Sequence, residues 1–169
     1  MSLTEALRSV FGLARCFSDF EGLNRFVEQT KEYRVAAEAW IADRQVVHCF
    51  CDRCMSVKAM TVNVGALFGT QPNLREGLRC ECGLTNRQRL LYSAIARRLQ
   101  GEELAPVCIL EQRSVLFHYL SQLIPELHGS EYLGPEFASG SKHLRGGRRL
   151  VHQDLCDLSY ASNSMGLIV

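Results

Sequence analysis

Pro106-Val107-Cys108-Ile109-Leu110-Glu111-Gln112-Arg113-Ser114-Val115-Leu116-Phe117-His118-Tyr119-Leu120 is the stretch whose reading decides the fold. Pro106 to Leu110 is a short apolar run, the pattern of a buried strand. Ser114 then predicts a helix start, because its hydroxyl can accept an orphan backbone amide. Val115, Leu116, Tyr119, Leu120 and Leu123 give that helix one apolar side. A second short strand is expected at Gly129–Leu133 and a turn at Gly146-Gly147. A third strand is expected at Leu150–His152 and a fourth over Met165–Val169. Strand, helix and further strands in this order open an α/β parallel sheet.

Toward the N-terminus, Thr85 and Gln88 fit a capping box. Leu90, Leu91, Ala94, Ile95 and Leu99 mark the apolar face of the helix that follows, and Gly101 ends it. Just before it lies Cys80-Glu81-Cys82-Gly83, and further back Cys49-Phe50-Cys51-Asp52-Arg53-Cys54. Paired thiols on two separate turns build a tetrahedral metal site. Cys51, Cys54, Cys80 and Cys82 are the predicted ligands of a structural zinc, with no open position for chemistry. Cys49 and His48 compete for the place of Cys51. Cys16, Cys108 and Cys156 stand alone, the last two read as small buried residues.

Val57, Ala59, Met60, Val62 and Val64 read as a strand with a phase slip, hence a bulge. Gly65–Asn73 reads as a loop. The two knuckles with the strand and loop between them read as a zinc-ribbon-like module. Leu23, Phe26, Thr30, Tyr33, Ala37 and Trp40 line one face of a long helix from Glu21 to Arg44, a core or docking face. Met1–Ala14 carries Glu5 and Arg8, so it reads as an amphipathic helix and not a secretion signal.

The chain has 169 residues, 47% of them hydrophobic, enough to bury a core. No run approaches the length needed to span a bilayer, so no membrane partner is expected and the expected location is cytoplasmic. In that compartment thiols stay reduced, which favours metal over a disulfide framework. The net charge is +1, so nothing global points to nucleic acid. Arg87, Arg89, Arg97 and Arg98 read as a solvated helix face. There is no Gly-x-Ser-x-Gly, Walker loop or HExxH, and the five histidines show no triad spacing, which argues against a hydrolase or oxidoreductase.

Four segments in order carry a resemblance: Arg75–Arg89, Ile109–Ser114, Gly129–Gly134, and His152–Leu155 with Leu158-Ser159. Together they resemble bacterial class I S-adenosylmethionine-dependent methyltransferases that carry an N-terminal cysteine-rich zinc-ribbon-like segment. The resemblance covers Val46–Val169. It implies a Rossmann-like methyltransferase domain from 104, preceded by the zinc-ribbon-like module with its following helix at 46–103; the helical patterns ahead of them make 1–45 a helical segment. It implies S-adenosylmethionine as cofactor and an unidentified methyl acceptor. Glu111, Glu131 and Asp154 are then the cofactor-facing acids at the first strand end, the ribose and the adenine. Glu111–Ser114 stands where these enzymes commonly have a glycine-rich turn, and Gly166 where an aspartate is usual. The expected sheet stops at its fourth strand. On this reading the domain is an incomplete, truncated first half, inactive until a protein partner completes the sheet. The rival reading is a non-catalytic zinc-binding protein-interaction module.

Overall fold

A computed structural model describes residues 19–63, 67–68, 71–99 and 106–169. The expected helix at Met1–Ala14, Cys16 and the helix stop at Gly101 lie outside these residues. The chain divides into two compact units, with the boundary between Ala94 and Ile95. No helix among the described residues is long and apolar enough to cross a membrane.

The first unit opens with α1 (Phe20–Ala42), which starts where Asp19 caps it: Oδ1 accepts the Gly22 amide at 2.6 Å. Glu21 in the first turn complements the positive end of the helix. Its expected stripe is only partly covered. Phe26, Thr30 and Ala37 are half-buried, whereas Leu23, Tyr33 and Trp40 are exposed. The guanidinium of Arg44 stacks over Trp40, 3.5 Å from the ring centroid.

A three-stranded antiparallel sheet follows, ordered β1-β2-β5: β1 is Val46–Cys51, β2 Ser56–Val62 and β5 Leu78–Cys80. Alternation places Val47 and Cys51 inward from β1, and Met60 and Val62 inward from β2. With Leu78 and Cys80 they form one small core, against which Ile41, Cys49, Cys54, Leu74 and Cys82 pack. The expected bulge in β2 is not there. Its register runs unbroken from Val46↔Thr61 to Cys51↔Ser56, and again from Met60↔Cys80 to Val62↔Leu78. The apolar Val57 simply lies on the outer face, 64% exposed, which mimicked a slip of phase. The expected loop at 65–73 contains a minimal hairpin of β3 (Leu67–Phe68) and β4 (Gln71–Pro72). A single turn, α2 (Leu74–Gly77), leads into β5, capped where Asn73 Oδ1 accepts the Glu76 amide.

α3 (Asn86–Leu99) starts at the expected capping box. The Gln88 amide donates to Thr85 Oγ1 at 3.3 Å, and the Thr85 amide donates to Gln88 Oε1 at 3.2 Å. Its first turns, however, are turned differently than the apolar pattern implied. Leu90 and Ala94 are exposed, while Thr85, Gln88 and Arg89 are buried. The arginine series is therefore no uniform solvated face. Arg89 is buried, and Arg87 is paired with Glu76 at 2.6 Å.

The second unit holds a parallel sheet of β6 (Val107–Ile109), β7 (Leu127–Gly129) and β10 (Leu167–Ile168), ordered β10-β6-β7. α4 (Val115–Leu120) crosses from β6 to β7, with Ser114 Oγ accepting the Phe117 amide at 3.0 Å. Beyond β7 the chain adds one parallel rung, Glu131 to His152. The expected second strand is thus shorter and earlier, ending at Gly129 with Glu131 as a lone rung. The expected third strand belongs to a hairpin, β8 (Lys142–Arg145) with β9 (Arg148–Val151). Gly146 and Gly147, at φ 55° and 75°, make its tight turn, a conformation in which glycine alone is free of strain. β8 went unforeseen because its residues have no buried face to give it a pattern. Val107, Cys108, Ile109, Leu116, Leu120, Ile124 and Leu150 are the buried apolar residues of this unit's sheet and helix. Cys156 is exposed, contrary to expectation, because its turn lies outside that core.

Candidate functional site

In the first unit, the strand ends converge. Cys51 closes β1 and Cys54 lies in the turn to β2; Cys80 closes β5 and Cys82 lies in the turn after it. Cys51 Sγ is 4.0 Å from Cys82 Sγ, and Cys54 Sγ is 4.0 Å from Cys80 Sγ. All four sulfurs lie within 4.8 Å of one another. Four thiolates about 2.3 Å from one ion stand about 3.8 Å apart at the corners of a tetrahedron. None of the described cysteines forms a disulfide. The four ligand positions chosen from spacing are the ones gathered. Cys49 packs against the same core but stands outside the group, and His48 points to the exposed face of β1.

The local backbone explains the convergence. Met55 adopts φ 52° directly after Cys54, which turns the chain back into β2. Gly83 adopts φ 89° directly after Cys82, and its amide donates to the Cys80 carbonyl at 2.8 Å. The Cys80 amide donates to the Leu84 carbonyl at 3.0 Å, and Thr85 then caps α3. Each knuckle is a tight turn stitched to a strand.

The four thiols perturb one another. Burial, together with the neighbouring sulfurs, pushes the Cys51 thiol up to about 12. Burial also raises Cys82. Burial works against ionisation of Cys80 as well, but hydrogen bonds from the Cys82 backbone and the neighbouring thiols outweigh it, and its pKa is lowered. Four thiols this close cannot all ionise unless a positive ion sits among them. Zinc fits the donor set: soft ligands, four of them, in a closed arrangement. Four thiolates around one zinc would carry a formal charge of −2, and the same unit holds a buried cation. Arg89, 7% exposed, donates from Nη1 to the Phe50 carbonyl at 3.1 Å and from Nη2 to Asn86 Oδ1 at 2.7 Å. It ties α3 to the residue before Cys51. Its charge also works against burial at Cys49, whose pKa is nevertheless raised.

In the second unit, two of the three predicted cofactor-facing acids follow the carboxyl ends of parallel strands, and the third follows β9 of the antiparallel hairpin. Glu111 lies two residues past β6, Glu131 two past β7, and Asp154 three past β9; all are half-buried. Glu131 Oε1 accepts the Arg113 amide at 2.6 Å, which ties the loop after β6 to the loop after β7. Asp154 Oδ1 accepts the Cys156 amide at 2.9 Å, and the Asp154 amide donates to Ser139 Oγ at 2.8 Å. The chain leaves β6 for β7 on one side and returns as β10 on the other, so the strand order reverses at β6. In open α/β sheets the crevice at such a reversal is where ligands bind.

No family model, curated protein or solved structure matches this chain.

One residue that organises this strand end was not anticipated from sequence. The side-chain amide of Gln112 donates to the Arg149 carbonyl at 3.2 Å and accepts from the Val151 amide at 3.0 Å. Those are the two groups that a parallel neighbour opposite Leu150 would satisfy. Gln112 thus stands in for a strand residue and continues the rung that Glu131 makes one step later. Gly129 makes room for it: a Cβ there would lie 2.7 Å from Gln112 Cγ and 2.5 Å from Phe117 Cε2. The signal in the sequence was Gly129 itself, in a strand where a side chain would ordinarily pack.

Proposed function

We propose that this chain is an S-adenosylmethionine-dependent methyltransferase of the Rossmann-like class, with a zinc-ribbon-like module ahead of it. The observation that carries the reading is the reversal of strand order at β6, with Glu111, Glu131 and Asp154 following the carboxyl ends of β6, β7 and β9. Ionised carboxylates are acceptors only, suited to the hydroxyls of a ribose and the amine of an adenine. When bound, the cofactor supplies an electrophilic methyl group to a nucleophile by in-line displacement. The chain's own contribution is orientation. Glu131 has one oxygen engaged by the Arg113 amide, which fixes its carboxylate against the loop that begins with Glu111. The zinc is structural on this reading, since four protein ligands leave it no open position.

The test is native mass spectrometry and calorimetry of the full chain with S-adenosylmethionine. One zinc and one cofactor per chain are expected, with cofactor binding weakened at least tenfold in Glu131→Gln. Zinc without cofactor refutes the methyltransferase reading.

That result would favour the second reading, a zinc-binding interaction module. It draws on a different observation: α1 leaves Phe20, Tyr33, Val35 and Trp40 exposed, which is an unusual amount of apolar surface for one helix.

A further inference from the structure

The second unit contains a cavity of about 650 Å³ between the start of α4 and β9. That is within the roughly 300–1,000 Å³ of small-molecule sites. Arg113, Arg148, Arg149 and His118 line it, together with the hydroxyl of Ser114 and the amide-bearing Gln112; no aspartate or glutamate does. The chain as a whole is nearly neutral, with 19 basic and 18 acidic residues, so this concentration of one sign is local. Among the described residues none of the three arginines forms an ion pair.

We infer that this cavity binds a phosphorylated small molecule through its phosphate or diphosphate group. Guanidinium groups match phosphate oxygens in bidentate fashion and hold their charge at any working pH. The backbone arrangement brings them together from two places. Arg148 and Arg149 emerge directly after the Gly146-Gly147 turn, and Arg113 comes from the loop after β6. Gln112 holds these two segments against each other through its bonds to Arg149 and Val151. The confinement of the basic residues to one open groove favours a small ligand over a nucleic-acid strand, which would need an extended track. The loop that bears Arg113 is also the one fastened to Glu131, so this anion would lie beside the proposed cofactor crevice. The inference holds whether or not that cofactor binds.

The test is a titration of the isotope-labelled full chain with sodium pyrophosphate at constant ionic strength, followed by amide chemical shifts. Saturable binding is expected, with the largest shifts at Ser114, Val115 and Arg149. The doubly substituted R148Q/R149Q chain should bind at least tenfold more weakly, and R113Q should also weaken binding. R25Q, on the exposed face of α1, should leave it unchanged. All these arginines are exposed, and a circular dichroism spectrum matching the parent checks that each variant is folded. Non-saturating shifts, or undiminished binding by R148Q/R149Q, overturn the proposal. So does a short single-stranded oligonucleotide that outcompetes pyrophosphate and shifts Lys142–Arg145 in place of Ser114.

Discussion

Gly129→Ala should destabilise the second unit far more than one methyl group ordinarily does. The added Cβ would meet Phe117 Cε2 at 2.5 Å, Phe117 Cζ at 2.7 Å and Gln112 Cγ at 2.7 Å. All three are below any real van der Waals contact, so something must move. Overpacking of this kind costs about 1–3 kcal/mol. If Gln112 is the group that yields, its two bonds to β9 also break, at roughly 1 kcal/mol each. The sum is about 3–5 kcal/mol if both effects act. The assay is urea-dependent amide hydrogen exchange of the full chain, read at Val151 and Ile109, so that only the second unit reports. Loss of protection at Val151 should exceed that at Ile109, because the Val151 amide donates to Gln112 Oε1. A double-mutant cycle sharpens the point. In a Gln112→Ala background the glycine substitution should cost about 2 kcal/mol less, since one clash and both bonds are already gone. A Gly129→Ala chain within about 0.5 kcal/mol of the parent, with Val151 protection unchanged, would refute this account of Gln112 as a surrogate strand residue.

Four further outcomes are expected. Chelation should release one zinc per chain and abolish exchange protection in β1, β2 and β5 while leaving Ile109 protected. Cys51→Ser should lose that zinc and Cys49→Ser keep it, because Cys49 stands outside the group of four sulfurs. Met55→Gly should raise the stability of the first unit by roughly 0.5–1 kcal/mol, since φ 52° strains a residue with a Cβ and Met55, 75% exposed, gives up little packing. Urea midpoints check this, and a loss of stability would show that Met55 contributes more than its backbone. Finally, burial and the hydrogen bond with Cys108 push Tyr160 up to about 12. In the unfolded chain a tyrosine ionises near pH 10, so the contribution of Tyr160 is whole below about pH 10 and fades as pH rises toward about 12. Ultraviolet titration should reveal one late tyrosine, and Cys108→Ala should bring it forward.

The sequence by itself determined the local events, because each depends on a few neighbouring residues. Spacing pointed to Cys51, Cys54, Cys80 and Cys82, since a knuckle needs two thiols one or two residues apart, but it left Cys49 and His48 as rivals of Cys51 until the structure gathered the four sulfurs. The capping hydroxyls of Thr85 and Ser114 and the turn at Gly146-Gly147 were legible for the same reason. The α/β character of the second unit followed from one apolar run and one amphipathic helix. Only the tertiary structure decided which side of each element is buried. Val57 and Leu90 are apolar yet exposed, and Arg89 is charged yet buried, because the carbonyl of Phe50 waits for it across the unit. It likewise decided the order β10-β6-β7 and the role of Gln112, which bonds to residues 37 and 39 positions away. Hydrophobic period and spacing report on a residue's neighbours along the chain. Register, burial and charge pairing are set by neighbours across it, and those come into being only when the chain has closed on itself.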